Sequence, residues 1–158
     1  MLKKFGMNFY RTFLRLISKP ASYDIYTDGA YKRGIGSWAF VVMNGSQVLH
    51  ESSGKFSKSG SSRMEFHAAI EALRWLPIGS RATIHSDSRM LVEGLTKKWA
   101  KWKGSGWMKK DRPLFNSDQL AIIDQLLENR SIEWKWVRAH SGIEANERCD
   151  ELCVLARS

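Results

Sequence analysis

The sequence predicts one α/β domain in which helices pack on a mixed β-sheet. Its 158 residues suffice for one compact core and are too few for two comfortable domains. Three β-prone segments follow one another near the start of the chain, and helical and β-prone segments then alternate in the order βββαβα(α)αβα. We therefore expect three antiparallel strands at the start, followed by strands that helices connect.

The first three strands are predicted from β-prone segments and from the turns between them. Tyr23–Thr27 is a short β-prone segment that ends at Asp28-Gly29, a pair typical of turns. Ser37–Met43 and Gln47–Phe56 flank Asn44-Gly45, a strong hairpin signal because both residue types tolerate positive φ. The second and third strands should therefore form a hairpin.

The first helix and the fourth strand come next. Ser62-x-x-Glu65 has the form of a capping box, which marks the start of a helix, and Pro77 marks its end. Between them, apolar residues recur at helical spacing at Met64, Ala68, Ala72 and Trp75. Ala82–His85 is then predicted as a fourth short strand.

The second half of the chain contains the remaining elements. Asp87 is predicted to cap a helix that continues to about Gly94, and a Trp- and Lys-rich stretch interrupted by Gly104-Ser105-Gly106 follows it. Three further elements are predicted: a helix within Pro113–Asn129, a fifth strand at Ile132–Val137 and a closing helix at Ala145–Ala156.

Basic residues outnumber acidic ones, and they are concentrated in two places. The net charge of +9 predicts attraction to polyanions such as nucleic acid or an anionic membrane surface. Residues 1–20 carry five basic residues and no acid, and residues 97–112 carry seven basic residues and one acid. The rest of the chain is close to neutral, so an acidic site within it is compatible with the basic total.

Residues 1–20 are predicted to be a basic amphipathic extension preceding a domain at residues 22–158. On a helical wheel, apolar residues from Leu2 to Ile17 cluster on one side and basic residues lie opposite. Such a segment could contact a membrane surface or nucleic acid, act as an organelle presequence, or dock on the domain, and the sequence leaves these alternatives open. We expect a cytoplasmic protein in a prokaryote or phage, and a mitochondrial one in a eukaryote.

No stretch of the sequence approaches the roughly 20 uncharged apolar residues of a membrane-spanning helix. The two cysteines, Cys149 and Cys153, are four residues apart in the predicted closing helix, which places both thiols on one face. No second pair exists to complete a zinc site. We therefore predict a reduced, packed pair of thiols in an intracellular protein.

Four acidic residues are placed along the chain in a way that could bring them together in the fold. Taken singly, Asp28 could be a turn residue, Glu65 an arm of a capping box, Asp87 a helix N-cap and Asp150 a solvated helix position. Two of them, however, follow strand ends, and the other two lie in the first turns of helices that could pack near those ends. The four carboxylates could therefore converge.

Convergence of carboxylates has an energetic cost. Two unit charges about 4 Å apart repel by roughly 1 kcal/mol in water and by roughly 4 kcal/mol at an effective dielectric of about 20. Bound cations or raised pKa values make such a cluster tolerable. Hard divalent cations prefer oxygen ligands, and a pair of them can promote in-line phosphoryl displacement. An acidic cluster beside basic segments therefore suits phosphodiester hydrolysis.

The motifs that contain these acids resemble those of type 1 ribonuclease H. The resemblance runs in order from about residue 22 to the C-terminus through five segments: Ile25–Ala30, Ser62–Ala69, His85–Ser88, Val137–Gly142 and Glu144–Leu152. It implies the ribonuclease H-like α/β fold, with a five-stranded mixed sheet of three antiparallel strands and then two parallel ones, and with helices on both sides. It also implies endonucleolytic hydrolysis of the RNA strand of RNA·DNA hybrids, giving 5′-phosphate and 3′-hydroxyl ends.

The resemblance assigns roles to individual residues. Asp28 should contact both of two Mg²⁺ ions, for which Mn²⁺ could substitute, and Glu65, Asp87 and Asp150 should supply the remaining protein ligands. His140 would be a mobile acid or base near the leaving group. The expected partner is an RNA·DNA hybrid, and we expect a monomer.

The resemblance also predicts residues that hold the hybrid. The stretch Lys97–Lys110 resembles the family's basic protrusion, which grips the DNA strand, and Trp102 could anchor it. The loop after the first aspartate and the residues before Arg-Met-Glu should read the RNA strand, although the loop 31–36 is shorter than usual and serines replace an asparagine pair. The predicted substrate-binding residues are Gly29, Ala30, Ser61, Ser62, Arg63, Arg89, Lys101, Trp102, Lys103, Trp107, Lys109, Lys110 and Asn116.

Two other functions are compatible with parts of this pattern. Another nuclease or strand-transfer enzyme of the same superfold would share carboxylates at strand ends, but the motif around His140 and the basic, Trp-rich stretch argue against it. A non-catalytic hybrid-binding module would not need all four acids.

Overall fold

The computed structural model describes residues 21–57 and 60–158, and our expectations for residues 1–20 lie outside this part of the chain. The strands are β1 (Ser22–Lys32), β2 (Ile35–Asn44), β3 (Gln47–Ser57), β4 (Arg81–Ser86), β5 (Met108–Lys109), β6 (Arg112–Pro113) and β7 (Ser131–Trp136). The helices are α1 (Ser61–Trp75), α2 (Arg89–Leu95), α3 (Trp99–Gly104), α4 (Ser117–Leu127) and α5 (Glu144–Arg157).

The predicted α/β fold is confirmed. The main sheet has five strands in the order β3-β2-β1-β4-β7. The strands β1, β2 and β3 pair antiparallel, whereas β4 pairs parallel with both β1 and β7. β1 and β4 run in the same direction, and β4 ends at Ser86, opposite Thr27, whereas β1 continues to Lys32. The predicted strand end and turn at Asp28-Gly29 were therefore wrong, because pairing with β2 carries the strand through both residues.

Helices cover both faces of this sheet, and each face has its own core. Residues such as Ile25 and Ile84 face α1, α2 and α4, whose apolar side chains complete the larger core. Ala39 and Val41 face α5 and pack against Cys149 there. This separation follows from the alternation of side chains along a strand, which sends neighbouring residues to opposite faces.

The basic stretch forms α3 and the short hairpin of β5 and β6, which the sequence did not predict. Its lysines are exposed, while Trp99, Trp102 and Trp107 pack against the larger core. The ring of Trp102 lies against Gly94 so closely that a Cβ there would come within 2.6 Å of it. Trp102 therefore anchors the protrusion, as expected.

Two capping predictions were wrong. The N-cap of α1 is Gly60, without a side-chain cap bond, so Ser62 and Glu65 do not form a capping box. The N-cap of α2 is Ser88, whose Oγ accepts a hydrogen bond from the amide of Leu91 at 3.3 Å, and not Asp87. In both cases the carboxylate lies in the acidic cluster described below.

The prediction of packed thiols is confirmed, since Cys149 and Cys153 are free and buried. None of the helices in residues 21–57 and 60–158 combines the length and apolar character that crossing a bilayer requires.

Candidate active site

The first two acids come together because they follow paired positions on parallel strands. Thr27 of β1 lies opposite Ser86 of β4, and the next residues are Asp28 and Asp87. The side chain of Asp28 is on the α5 face of the sheet, and the residue is only 7% exposed. The parallel pairing thus places both carboxylates at the same edge of the sheet.

Gly29 lets the third acid approach. A Cβ at this position would lie 2.2 Å from both the amide nitrogen of Glu65 and the carbonyl carbon of Met64. Only a residue without a side chain allows the backbone of α1 to come this close to β1. The amide of Gly29 also interacts with the carboxylates of both Asp28 and Glu65 and favours their charged forms.

We expect Gly29→Ala to reduce the free energy of unfolding by more than about 3 kcal/mol, because backbone atoms cannot yield to the added methyl group as a flexible side chain could. Chemical denaturation of the full chain measures this. Gly60→Ala is the matched control, since a Cβ there meets nothing within 4 Å, and we expect it to cost less than about 1 kcal/mol. Equal losses in the two variants would contradict the close approach.

The three carboxylates form a tight cluster. One ligand oxygen from each of Asp28, Glu65 and Asp87 lies within 4.8 Å of the others. Burial, and then the charges of Asp87 and Asp150, raise the pKa of Asp28 to about 7. Burial and the charges of Asp28 and Asp87 raise the pKa of Glu65 well above its usual range. Without a counter-ion the cluster therefore resists full ionisation.

This cluster fits a divalent cation. The Oε2 atom of Glu65 is buried and has no hydrogen-bond partner among the described residues. Burying a carboxylate oxygen without a hydrogen-bond partner destabilises the folded state, and a cation bound to that oxygen would offset this cost. The donor set consists only of carboxylate oxygens, which hard ions such as Mg²⁺ and Mn²⁺ prefer.

Asp150 is near this cluster but is not one of the three acids whose oxygens converge. It is exposed on α5, and its charge still raises the pKa of both Asp28 and Asp87. The fourth predicted acid thus borders the cluster on its solvent side.

Several groups hold the backbone and carboxylate of Asp87. Burial raises the pKa of Asp87, whereas a hydrogen bond from Asn146 and the charge of His140 lower it. The indole Nε1 of Trp136 donates a hydrogen bond to the Asp87 carbonyl at 3.0 Å. His140, in a left-handed conformation with φ of 52°, is exposed in the loop before α5.

The helix α5 also contacts the backbone of β1 at the site. The Sγ of Cys149 lies 3.2 Å from the Tyr26 carbonyl oxygen, and the Sγ of Cys153 lies 3.6 Å from that of Asp28. These weak donors bind the carbonyls on either side of Thr27. The cysteines were predicted to be packed, but their role beneath the acidic cluster was not.

Sequence reasoning missed two further residues at the site, Asn146 and Trp136. Asn146 is a polar residue within the buried face of α5, which was a usable signal because buried amides normally have partners. Trp136 offered no comparable signal, because an indole at the end of a strand is explained equally well by packing.

The predicted substrate-binding residues have diverse environments. Arg63 donates to both carboxylate oxygens of Asp118, at 3.0 and 2.7 Å, and Lys103 pairs with Asp124 at 2.8 Å. The guanidinium of Arg89 stacks on the ring of Trp136. Exposed positions are Ser61, Lys101, Lys109 and Lys110; partly buried ones are Ala30, Ser62 and Trp107; and Asn116 is buried at the start of α4. Their role in binding a substrate stays a prediction.

Comparison with known sequences agrees with this geometry. A family model described as RNase H matches residues 20–158. The chain is 36% identical over 145 residues to Ribonuclease HI of Synechocystis sp., covering 89% of this chain and 91% of that protein. It is 37% identical over 132 residues to Ribonuclease H of Bordetella pertussis, covering 82% of this chain and 84% of that protein.

Solved structures agree on the fold. The chain resembles LC9-RNase H1, a type 1 RNase H with the type 2 active-site motif, with a TM-score of 0.77, 24% identity and coverage of 88% of this chain and 73% of that one. It also resembles LC11-RNase H1, which was crystallised with an RNA/DNA hybrid, with a TM-score of 0.65, 20% identity and coverage of 86% and 99%. At such identities the likeness supports the fold alone.

Proposed function

The chain belongs to the ribonuclease H family and is an endoribonuclease, and from this premise we propose that it hydrolyses the RNA strand of RNA·DNA hybrids with two metal ions, leaving 5′-phosphate and 3′-hydroxyl ends. The observation that carries the proposal is the convergence of Asp28, Glu65 and Asp87 around an unpartnered carboxylate oxygen. Such an arrangement is stable in its ionised form only with cations present.

Asp28, Glu65, Asp87 and Asp150 would hold two Mg²⁺ ions, with Mn²⁺ as an alternative. Bound divalent ions make a water molecule more acidic and stabilise charge on the phosphoryl group. Asp28 would contact both ions, since the charges of Asp87 and Asp150 both act on it and its own charge acts on Glu65. The side chain of Asn146 would help to orient the Asp87 carboxylate, and Trp136 would help to hold its backbone carbonyl.

His140 would exchange a proton with the leaving 3′-oxygen through a ring nitrogen. Its charge reaches Asp87, and its exposed loop position leaves the ring free to approach a phosphate at the cluster. Proton transfer of this kind typically contributes about 10²–10⁴-fold to a rate.

The hybrid would be held on both sides of the cluster. Lys101, Lys109 and Lys110 on the protrusion are exposed and face no acid within hydrogen-bond distance among the described residues, so they are available to phosphates. On the other side, the backbone at Gly29 and Ala30 and the hydroxyls of Ser61 and Ser62 would read the 2′-hydroxyls. The remaining predicted substrate-binding residues on this surface are Arg63, Arg89 and Asn116.

A cleavage assay tests the proposal. With Mg²⁺ or Mn²⁺, we expect the protein to cut a labelled RNA·DNA hybrid and to leave the DNA duplex of the same sequence intact, because the hybrid combines 2′-hydroxyls with a suitable groove. A labelling test identifies the cut ends: a product with a 5′-phosphate accepts a 5′-label only after dephosphorylation, which is the result we expect. Comparable cutting of the DNA duplex would favour another nuclease of the superfold, and cutting of neither substrate would favour a binding module.

A further inference from the structure

A cationic pocket lies where the turn between β1 and β2 meets the C-terminus of α5. It has a volume of about 280 Å³ and is lined by Lys32, Arg33, Ile35, Val154, Arg157 and Ser158. Three of these six residues are cations, and none of the six carries a carboxylate side chain. None of the three cations forms an ion pair within the described residues.

The two-residue turn between β1 and β2 requires positive φ at both of its residues, and one of them is Arg33. Its φ is 52°, and Gly34 follows with a φ of 80°. A left-handed conformation costs a residue with a Cβ roughly 1–2 kcal/mol, and glycine or asparagine would fit there at lower cost. The strained position nevertheless carries a long cationic side chain at the mouth of the pocket, which points to a use for that side chain.

Arg157 is held in place from inside the protein. Its Nη1 donates a hydrogen bond of 2.7 Å to the hydroxyl of Ser37, which is fully buried. A guanidinium has five N–H donors in a rigid plane, so most of them remain available to an anion. Because one edge is already fixed, less side-chain entropy is lost when the other edge binds.

The balance of charge favours an anion. The exposed carbonyls at the C-terminus of α5 carry about half a negative charge, and the main-chain carboxylate of Ser158 carries one more, but three full cations outweigh them. Ile35 and Val154 add apolar surface, which suits a ligand that presents sugar edges as well as phosphates.

The pocket lies near the acidic cluster. Arg157 is close enough to Asp28 for its charge to lower the pKa of that carboxyl group. Lys32 lies four residues beyond Asp28 on β1, about 13 Å away at roughly 3.3 Å per residue. A nucleic-acid strand with its reacting phosphate at Asp28 would therefore reach the pocket within a few nucleotides.

We propose that Lys32, Arg33 and Arg157 form a second phosphate-binding subsite, which grips the backbone of the hybrid on the side of the active site formed by the β1–β2 turn and the end of α5. This inference rests on the proposed function. It gives the chain a second cationic contact in addition to the α3 protrusion, and two of its three cations belong to the loop 31–36.

The salt dependence of hybrid binding tests this subsite. The dissociation constant of the complex between the full chain and the hybrid is measured at salt concentrations from low to moderate. EDTA is present, so that the hybrid is not cut. We expect Lys32→Gln/Arg33→Gln to reduce the slope of log K against log salt by about 2, since each neutralised phosphate contributes roughly 0.9. Glutamine keeps the Cβ of Arg33, so the backbone cost of the turn is unchanged. Arg157→Gln, measured separately, should reduce the slope by about 1.

The matched control is Arg74→Gln/Arg81→Gln, which removes the same charge from the C-terminus of α1 and the first residue of β4, at the ends of these elements remote from the acids. We expect its slope to equal that of the wild type. An unchanged slope in the Lys32 and Arg33 variant, or equal losses in that variant and the control, would overturn the subsite. Failure of the wild type to cut a hybrid would instead overturn the proposed function, so the two failures are distinguishable.

Discussion

Replacing Asp28 with asparagine should reduce hybrid turnover by at least about a thousandfold and leave hybrid affinity nearly unchanged. Metal-bound charge stabilisation contributes several kcal/mol to such reactions, and each 1.36 kcal/mol corresponds to a tenfold change in rate. Asp28 interacts electrostatically with all three other acids, so its loss affects the whole cluster. Single-turnover cleavage and binding in EDTA measure the two quantities.

The matched control for this variant is Asp24→Asn, which makes the same substitution on the same strand. Asp24 is exposed and pairs with His85 at 3.0 Å, away from the acidic cluster. We expect its turnover to stay within a few fold of the wild type. Asparagine at position 28 removes a buried, repelled charge, so unfolding does not explain a loss of activity there. Retained turnover in Asp28→Asn would exclude its assignment as the bridging ligand.

Without divalent ions, the protein should be more stable at pH 5 than at pH 8. The pKa of Asp28 is raised to about 7, and those of Glu65 and Asp87 are also raised. A raised pKa of the folded state means that the folded form binds protons more tightly. The stability that this proton binding contributes is fully present below the unfolded pKa of about 4, and it is lost as the pH rises through about 7. At 1.36 kcal/mol per pKa unit, the loss from Asp28 amounts to at most roughly 4 kcal/mol.

Magnesium should reverse this loss at pH 8, where the carboxylates are ionised. At a concentration of about 100 times Kd, a bound ion stabilises the folded state by about 2.7 kcal/mol, which corresponds to a rise in Tm of roughly 5–10 °C for a domain of this size. We expect a smaller rise at pH 5, and a smaller rise for Asp87→Asn at either pH. Thermal melts with Mg²⁺ or EDTA measure these shifts.

Asp111→Asn is the control for the magnesium experiment, because Asp111 is an exposed acid in the turn between β5 and β6. Its response to Mg²⁺ should match that of the wild type. Equal shifts in Asp87→Asn and in the wild type would mean that the acids do not form one metal site.

Local chemistry in the sequence was enough to predict the order of the five strands of the main sheet and of the helices around them, but not the hairpin of β5 and β6. The Asn44-Gly45 hairpin, the helix that ends before Pro77 and the alternating strands are all found in the structure, with boundaries that differ by a few residues. These features depend on φ preferences and on side-chain periodicity, which act between neighbours along the chain. The position of Asp87 just after a strand was readable for the same reason, whereas Asp28, predicted at a strand end, lies within β1 because β2 continues to pair with it.

Only the tertiary structure decided which side chains meet. Glu65 turns toward Asp28 and not toward a helix amide because Gly29 lets α1 approach β1, and no local rule contains that contact. Arg63 is bound by Asp118, 55 residues away, and Arg157 by Ser37, 120 residues away. The sequence by itself thus determined the strands of the main sheet, the helices around them, which acids to consider and the packed thiols. Contacts between residues remote in the chain decided three other features: the cationic pocket, the position of Asp150 at the border of the acidic cluster, and the unpartnered oxygen of Glu65. The energies of such contacts depend on distance and burial in the folded state, which the sequence alone does not give.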